Sequence, residues 1–293
     1  DVPLPPRPLS RAEERAAHPL HDWLHEKHGR PNVYTGHDTE LCDLGEGELR
    51  QVMASYYGLL AEVDHHLGRI VDHLRATGEI DRTLIVVTGD HGELLGARGL
   101  FGKEGYFDSA FHVPLIVRDP AAHATRGARI DAFTEAVDVM PTVLDTLGGS
   151  VPQTCDGRSL CPFVTEGRTP AGWRESVMFE FDFRDVVTQR AERHLGLVSD
   201  ECTLAVLRGE RFKYVHCAGL PPLLVELDGD PDESRNLAGD PAHADVERDC
   251  AQALLTKRLL HADRSWTNTL LSDGGPHSYR GPRRAAERED GDQ

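Results

Sequence analysis

Between Leu49 and Leu74 the apolar residues Leu49, Val52, Met53, Tyr56, Leu59, Leu60, Val63, Leu67, Ile70, Val71 and Leu74 recur at steps of three and four. That period predicts one long amphipathic helix. Asp43-Leu-Gly-Glu46 ahead of it has the look of a capping box, and Gly78 stands where a C-terminal cap is expected. The texture then changes. Thr83-Leu-Ile-Val-Val-Thr88 and Val113-Pro-Leu-Ile-Val117 are short, β-branched and apolar on both faces. They suit central strands covered by helices on both sides. Asp138-Val-Met-Pro141 opens a helix that runs to about Leu147 and stops at Gly148-Gly149, with Asp138 as N-cap and Pro141 in the tolerant first turn. Helix, strand, loop, strand, helix in this order predicts an α/β fold.

Beyond residue 150 the strands come closer together. Val177–Phe183, Thr203–Leu207, Phe212–His216 and Leu223–Leu227 predict a small antiparallel sheet, with the hairpin-like turn Arg-Gly-Glu-Arg before Phe212. Val246–His261 predicts a helix, and Gly157–Arg174 reads as loop with one short turn. The expected organisation is an α/β portion over 1–150, a small α+β subdomain over 151–271, and a disordered tail over 272–293 rich in Gly, Pro and charge. At the other end, residues 1–45 are rich in Pro, His and charge and read as a connection, with Ser10 capping a short helix from Arg11 to Ala17.

Composition narrows the function classes. Lys and Arg number 32 and Asp and Glu 49, a formal net charge of −17. A chain this acidic is a poor ligand for nucleic acid or anionic membrane surfaces, and no apolar run approaches the ~20 residues of a membrane span. The six cysteines lie scattered without a CxxC pair and read as reduced thiols, which favours a cytoplasmic home.

Candidate chemistry concentrates in Thr88-Gly-Asp-His-Gly-Glu93, directly after the first apolar strand. Ligands of open α/β sheets bind outside the carboxyl ends of the strands. There Asp90 either bonds the backbone amides of a capped turn or joins His91 in holding a divalent cation, with Mn²⁺ and Zn²⁺ suiting the pair better than Ca²⁺. Two ligands do not complete a site, so others must come from elsewhere. Lys103, between Gly102 and Gly105, enters the same region and either approaches an anionic group or stays a solvated loop lysine. His65, His66 and His73 read as surface residues of the long helix. His112 beside Pro114 is a further approach to the site, and His261 and Asp263 read as packing or subunit contacts.

The segment TLIVVTGDHGELLG…GLFGKEGYFDSAFHVPLIVRDP resembles the strand–DHGE–loop–GK–strand unit of sulfatases. The preceding YYGLLAEVDHHLGRIVDHL, the following FTEAVDVMPTVLDTLGG and the closing RGERFKYVH…LVELDGDPDESRNLA fit the same family in order and spacing. GKEGYFD, FEFDFRDV and HADRSWT are similar to phosphonate monoester hydrolases, within the alkaline phosphatase superfamily. The resemblance covers about residues 45–268. It implies the C-terminal part of an alkaline-phosphatase-like α/β/α sandwich, followed by the small antiparallel subdomain with its C-terminal helix. It also implies a metal-dependent hydrolase of sulfate, phosphonate or phosphate esters. Asp90 and His91 match the family's metal-ligand pair for one divalent ion (Mn²⁺, Ca²⁺ or Zn²⁺). Lys103 matches the lysine that contacts the ester's anionic or leaving oxygen. The implied partner is a small anionic ester, and a homo-oligomer is expected. The family nucleophile, a formylglycine made in a Cys-x-Pro-x-Arg-like motif, has no counterpart here, because Cys161-Pro-Phe163 lacks the spacing and the Arg. The nucleophile and the remaining metal ligands are therefore expected upstream of this chain, which alone would be inactive. Ala97-Arg98 departs from the Asp-His frequent in relatives, and Arg98 is expected to face solvent. The runner-up activity is that of an arylsulfatase or choline sulfatase, and the reading outside the enzymes is a non-catalytic, oligomerising remnant.

Overall fold

The structure, a computed structural model, describes residues 3–29, 40–152, 154–262 and 269–278. In chain order the helices and strands are α1 (Arg11–Ala17), α2 (Pro19–His28), α3 (Glu46–Ala76), β1 (Ile85–Thr88), α4 (Asp108–Phe111), β2 (Leu115–Arg118), α5 (Val139–Thr146), α6 (Cys161–Glu166), β3 (Ser176–Asp182), α7 (Arg190–Leu195), β4 (Thr203–Gly209), β5 (Phe212–Cys217), β6 (Leu223–Glu226), α8 (Ala244–His261), β7 (Thr269–Ser272) and β8 (Gly275–Ser278). They form two compact units interleaved along the chain. One comprises residues 1–80, 87–115 and 178–251, the other 81–86, 116–177 and 252–293. No described helix is long and apolar enough to cross a membrane.

The first unit is organised by a four-stranded sheet in the order β3-β4-β5-β6, with β4–β5 and β5–β6 antiparallel. Val206 faces Val215 and Tyr214 faces Leu224 across the ladder. The buried side chains Leu204, Val206, Val215 and Cys217 share a core with Leu20, Trp23 and Leu24 of α2 and with Leu94, Leu100, Tyr106 and Phe107 of the segment between β1 and β2. The small antiparallel sheet expected from the close-spaced strands is thus present, and the segment carrying the candidate chemistry is anchored in its core.

The N-terminal stretch is no mere connection. Ser10 does cap α1, its hydroxyl and the Glu13 carboxylate forming a reciprocal box. The next helix, α2, buries Leu20, Trp23 and Leu24 together with His21, His25 and His28. Those histidines give the sequence its polar texture, yet most find partners inside. His18 Nε2 donates to the Pro221 carbonyl at 3.0 Å while its Nδ1 accepts from Leu20 N at 3.1 Å. His21 Nε2 lies 2.8 Å from the Tyr106 hydroxyl, and His28 Nε2 lies 2.9 Å from the Phe101 carbonyl.

Asp43 does not cap the long helix. Its carboxylate pairs with Arg11 at 2.7 Å, and the N-cap of α3 is Gly45, whose amide donates to Glu48 at 3.1 Å. Only Leu49 and Met53 of the α3 stripe are buried, packing with Leu44 and Phe101. β1 and β2 form a two-stranded sheet with no third strand among the described residues. Their side chains are half-buried, and Ile116 is exposed, so the double cover expected of central strands is missing from these residues.

Arg98, expected at the surface, is buried. Its guanidinium forms an ion pair with Glu14 of α1 and donates to the carbonyls of Asp232 and Glu233 at 2.9 Å each. It also lies 5.0 Å above the Phe107 ring. Ala97 and Leu100 pull the loop into the core, which carries the arginine inward, and a buried guanidinium must then find anions and carbonyls. Glu233 in turn pairs with the buried Lys213, which also pairs with Asp108, and Arg208 adds a 3.2 Å contact to Asp108. Burial pushes the Glu233 carboxyl up against the pull of Lys213, whereas for Asp108 the pull of Lys213 and Arg208 outweighs burial and its carboxyl is lowered.

The second unit is centred on Asp138. It stands at the N-cap position of α5, but its carboxylate makes no cap hydrogen bond to that helix. It accepts instead from the amides of Glu135 at 2.8 Å and Arg158 at 2.7 Å and from the Arg174 guanidinium. Arg174 stacks 4.9 Å over Trp173, whose indole N–H donates to the Phe133 carbonyl at 2.7 Å. Thr269–Ser272 pairs with Gly275–Ser278 as a hairpin, so part of the expected tail is paired strand. Asp263, Trp266 and residues 279–293 lie outside the described residues. His261 sits 3.4 Å from Asp156, a packing contact as read from the sequence, and His65, His66 and His73 are exposed on α3.

All six cysteines are free. Burial pushes the thiols of Cys42 and Cys202 up to about 11 and that of Cys217 up to about 12.

Replacing Arg98 by Met leaves Glu14 buried without its cation and two carbonyls without a donor. We expect a loss of about 3–5 kcal/mol in urea unfolding; a loss below about 1 kcal/mol would show the ion pair to be dispensable. A second expectation concerns acid. Burial first, then the positive charges of Arg11, His28, Arg15 and Arg98, lowers His25 from 6.5 to about 4. Its ring nitrogens have no hydrogen-bond partner among the described residues. The unfolded chain therefore takes up a proton that the folded chain refuses, so stability is full above pH 6.5 and falls as pH drops toward 4. At about 1.4 kcal/mol per pH unit the loss reaches up to roughly 3 kcal/mol. His25→Gln should flatten that slope in denaturant titrations across the window; an unchanged slope would assign it to other groups.

Candidate metal centre

The turn that follows β1 is shaped by what it approaches. Gly92 N donates to the Ala110 carbonyl at 2.7 Å, and a Cβ on Gly92 would stand 2.2 Å from the Ser109 carbonyl oxygen. Only glycine permits that approach, and it places the turn against α4. Asp90 and His91 are thereby held just outside the strand end, where the sequence pattern put them. The Asp90 carboxylate is 86% exposed and the His91 ring partly so.

The two side chains converge. Asp90 Oδ1 accepts the His91 amide at 3.0 Å, and Asp90 Oδ2 lies 3.4 Å from His91 Nε2. His91 Nδ1 is 2.8 Å from the Gly92 carbonyl. A carbonyl can only accept, so Nδ1 donates to it, and Nε2 is turned toward the Asp90 carboxylate. An imidazole whose far N–H is fixed by a backbone carbonyl, beside an open carboxylate, is the usual arrangement of a metal-ligating histidine. A carboxylate beside an imidazole is a donor set that fits a divalent ion, and of the two readings of Asp90 the structure displays the capped turn, with Oδ1 accepting the His91 amide. Among the described residues the pair is not part of a cluster of three potential ligands. Among the described residues the one cluster of three potential ligands is Glu40, Cys42 and Asp43, where Arg11 already pairs with both carboxylates.

Lys103 is exposed, with no ion-pair partner among the described residues. The structure does not bring it into contact with Asp90 or His91, but it ties their loops together. The Glu93 carboxylate, two residues after His91, accepts from Gly102 N at 2.5 Å and from Leu95 N at 3.1 Å, and Leu94 N donates to the Gly102 carbonyl at 2.9 Å. Glu104 on the other side of Lys103 is held by Lys27 at 2.5 Å. The lysine is thus mounted between two braced residues, in a loop with positive φ at Gly102 and Gly105. His112, singled out beside Pro114, is exposed at the end of α4. In the sequence Glu93 is one letter of the Asp-His-Gly-Glu stretch, with nothing to single it out. Its role as brace depends on a turn nine residues long, which no local periodicity announces.

Two family profiles match the chain: Sulfatase over residues 11–149, and N-sulphoglucosamine sulphohydrolase, C-terminal, over residues 96–259. The multifunctional alkaline phosphatase superfamily protein PehA of Trinickia caryophylli is 45% identical over 94% of this chain and 53% of that protein. The crystal structure of the phosphonate monoester hydrolase of Agrobacterium radiobacter superposes with a TM-score of 0.86 at 43% identity, over 96% of this chain and 56% of that one. The phosphonate monoester hydrolase SpPMH of Silicibacter pomeroyi gives 0.85 at 36% identity, over 95% and 54%. The chain spans about half the length of these relatives.

Gly92→Ala should force the turn off Ser109 and cost about 1–3 kcal/mol. Thermal unfolding would read this as a drop of several degrees; an unshifted midpoint would mean that the turn is not seated as described. From the matched profiles, the superposed hydrolases and the Asp-His turn at the strand end, the chain belongs to the sulfatase family of the alkaline phosphatase superfamily.

Proposed function

We propose that this chain supplies the C-terminal part of a metal-dependent hydrolase of phosphonate or phosphate monoesters or diesters and sulfate esters, with the phosphonate monoester hydrolases as the nearer analogy. The observation that carries the reading is the Asp90–His91 pair, with Nδ1 of His91 engaged by the Gly92 carbonyl and Nε2 left facing Asp90 Oδ2. The identity to two phosphonate monoester hydrolases, 43% and 36%, supports the substrate class. A choline sulfatase of Rhizobium meliloti is 31% identical over 77% of this chain, which keeps sulfuric esters as the second reading.

A bound divalent ion would supply Lewis-acid polarisation of the ester's oxygens and a template for its orientation. Asp90 and His91 would hold it from one side, the carboxylate lending charge and the imidazole a neutral donor of fixed direction. Lys103 would place its ammonium against the anionic oxygens of the ester, where charge develops as the leaving-group bond stretches. Glu93 would keep that lysine's loop in register with the ligand pair. The nucleophile, proposed as a formylglycine, and the remaining ligands would come from the half of the fold that these residues do not match. A homo-oligomer stays part of the proposal.

In an enzyme that joins this chain to that other half, Asp90→Ala or His91→Ala should weaken divalent metal binding by at least about 100-fold. Lys103→Ala should keep the metal and lower kcat on an aryl phosphonate monoester by about 10²–10³-fold. Metal content by elemental analysis and turnover measured side by side check both. Full metal occupancy in the Asp90 and His91 variants, or an unchanged rate in the Lys103 variant, would overturn the respective role.

A further inference from the structure

Between His91 and β2 the chain carries three carboxylates, Glu93, Glu104 and Asp108, and, apart from His112, two basic residues, Arg98 and Lys103. Four of these five side chains are engaged. Glu93 accepts the amides of Leu95 and Gly102, Asp108 pairs with Lys213 and Arg208, and Arg98 pairs with Glu14. Glu104 pairs with Lys27 at 2.5 Å. Lys103 has no ion-pair partner among the described residues. In a chain of net charge −17 this is an uneven outcome, because Glu104 is the very next residue. A carboxylate left free at that position would compete for the ammonium or repel an anion bound to it.

The end of α2 holds Lys27 where it prevents this. Lys27 lies in the last turn of that helix, next to His28, whose Nε2 is 2.9 Å from the Phe101 carbonyl. Leu24, one turn earlier and buried in the core, meets Gly105, where a Cβ would stand 3.3 Å from Leu24 Cδ1. The helix end thus touches the loop at Phe101, Glu104 and Gly105, on both sides of Lys103, and the Glu104 side chain is only 18% exposed. A partly exposed ion pair adds little to stability. Its effect is on the local potential, and so on an anion bound nearby. We infer that Lys27 is a specificity-determining residue of the proposed ester site. By neutralising Glu104 it leaves the Lys103 ammonium unopposed, and it sets how readily the site takes esters of higher negative charge. This rests on the role proposed above for Lys103.

The test uses the enzyme that joins this chain to the other half of the fold, loaded with its divalent ion, at low ionic strength. An aryl phosphonate monoester carries one negative charge, and an aryl phosphate monoester carries close to two at about pH 8. Lys27→Met should raise KM by about 3-fold for the first and about 10-fold for the second, with kcat within about 2-fold. Added salt at about 0.5 M should narrow both effects. Lys27→Arg should keep the original values. Lys27→Met with Glu104→Gln removes both charges and should return both KM values to within about 2-fold, and Glu104→Gln alone should raise neither. The pair is a structural brace, and the inference is overturned, if the two esters suffer equally, if the loss is confined to kcat, or if the double variant is as impaired as the single one. An unchanged KM in Lys27→Met, or a raised one in Glu104→Gln, overturns it too. Lys103→Ala, run alongside, separates the two claims. Unchanged turnover there overturns the role of Lys103 and this inference with it. Lowered turnover there, beside an unaffected Lys27→Met, overturns the inference alone.

Discussion

The buried guanidinium of Arg98 is the interaction on which the rest of the first unit depends. Its partners come from two distant stretches of sequence, Glu14 on α1 and the carbonyls of Asp232 and Glu233, and from the ring of Phe107 in its own loop. It does this from a backbone with φ +56, a conformation that costs an ordinary side chain about 1 kcal/mol or more. That strain persists because the charge cannot be left unpaired in the core. Through Glu233 the same network reaches Lys213, Asp108 and Arg208. The loop between β1 and β2 is thus fastened at its midpoint, and the Asp90–His91 turn before it and Lys103 after it inherit their positions from it.

Rigidity at that midpoint bears on the ester hydrolysis proposed above. Binding energy spent on ordering a loop during turnover is not available to the transition state. Here the ordering is done on folding, by Arg98 in the core, by Gly92 against Ser109 and by Glu93 across to Gly102. The Lys103 side chain itself is exposed and without an ion-pair partner among the described residues, a four-carbon stem on a braced base.

The strands and long helices were legible in the sequence because burial writes a period into it. Thr203–Leu207 and Phe212–His216 are such cases, whereas α3 carries a helical apolar period of which only Leu49 and Met53 are buried among the described residues. The short helices α2 and α7 were not, and α2 is the instructive case. Its inward face carries His21, His25 and His28, which count as polar in any periodicity, yet carbonyls and a phenol inside the fold satisfy most of them. Arg98 misled for the same reason: a charged residue is read as exposed unless its partners are known, and Glu14 is 84 residues away. The Asp90–His91 pair was legible from its place after a strand and between glycines. The Gly92 carbonyl that orients the imidazole was not, since a hydrogen bond to the neighbouring peptide leaves no trace in composition.

The cysteines carry a consequence of another kind. With thiols pushed to about 11 and 12, Cys42, Cys202 and Cys217 hold well under about one thiolate in a thousand at neutral pH. Since the thiolate is the reactive form, air and mild alkylating reagents meet almost nothing to attack while the core stays closed. Modification of these three sulfurs would therefore follow opening of the β-sheet and of the α2–α3 junction, whereas the half-buried Cys155, Cys161 and Cys250 stay within reach of a reagent in the closed fold.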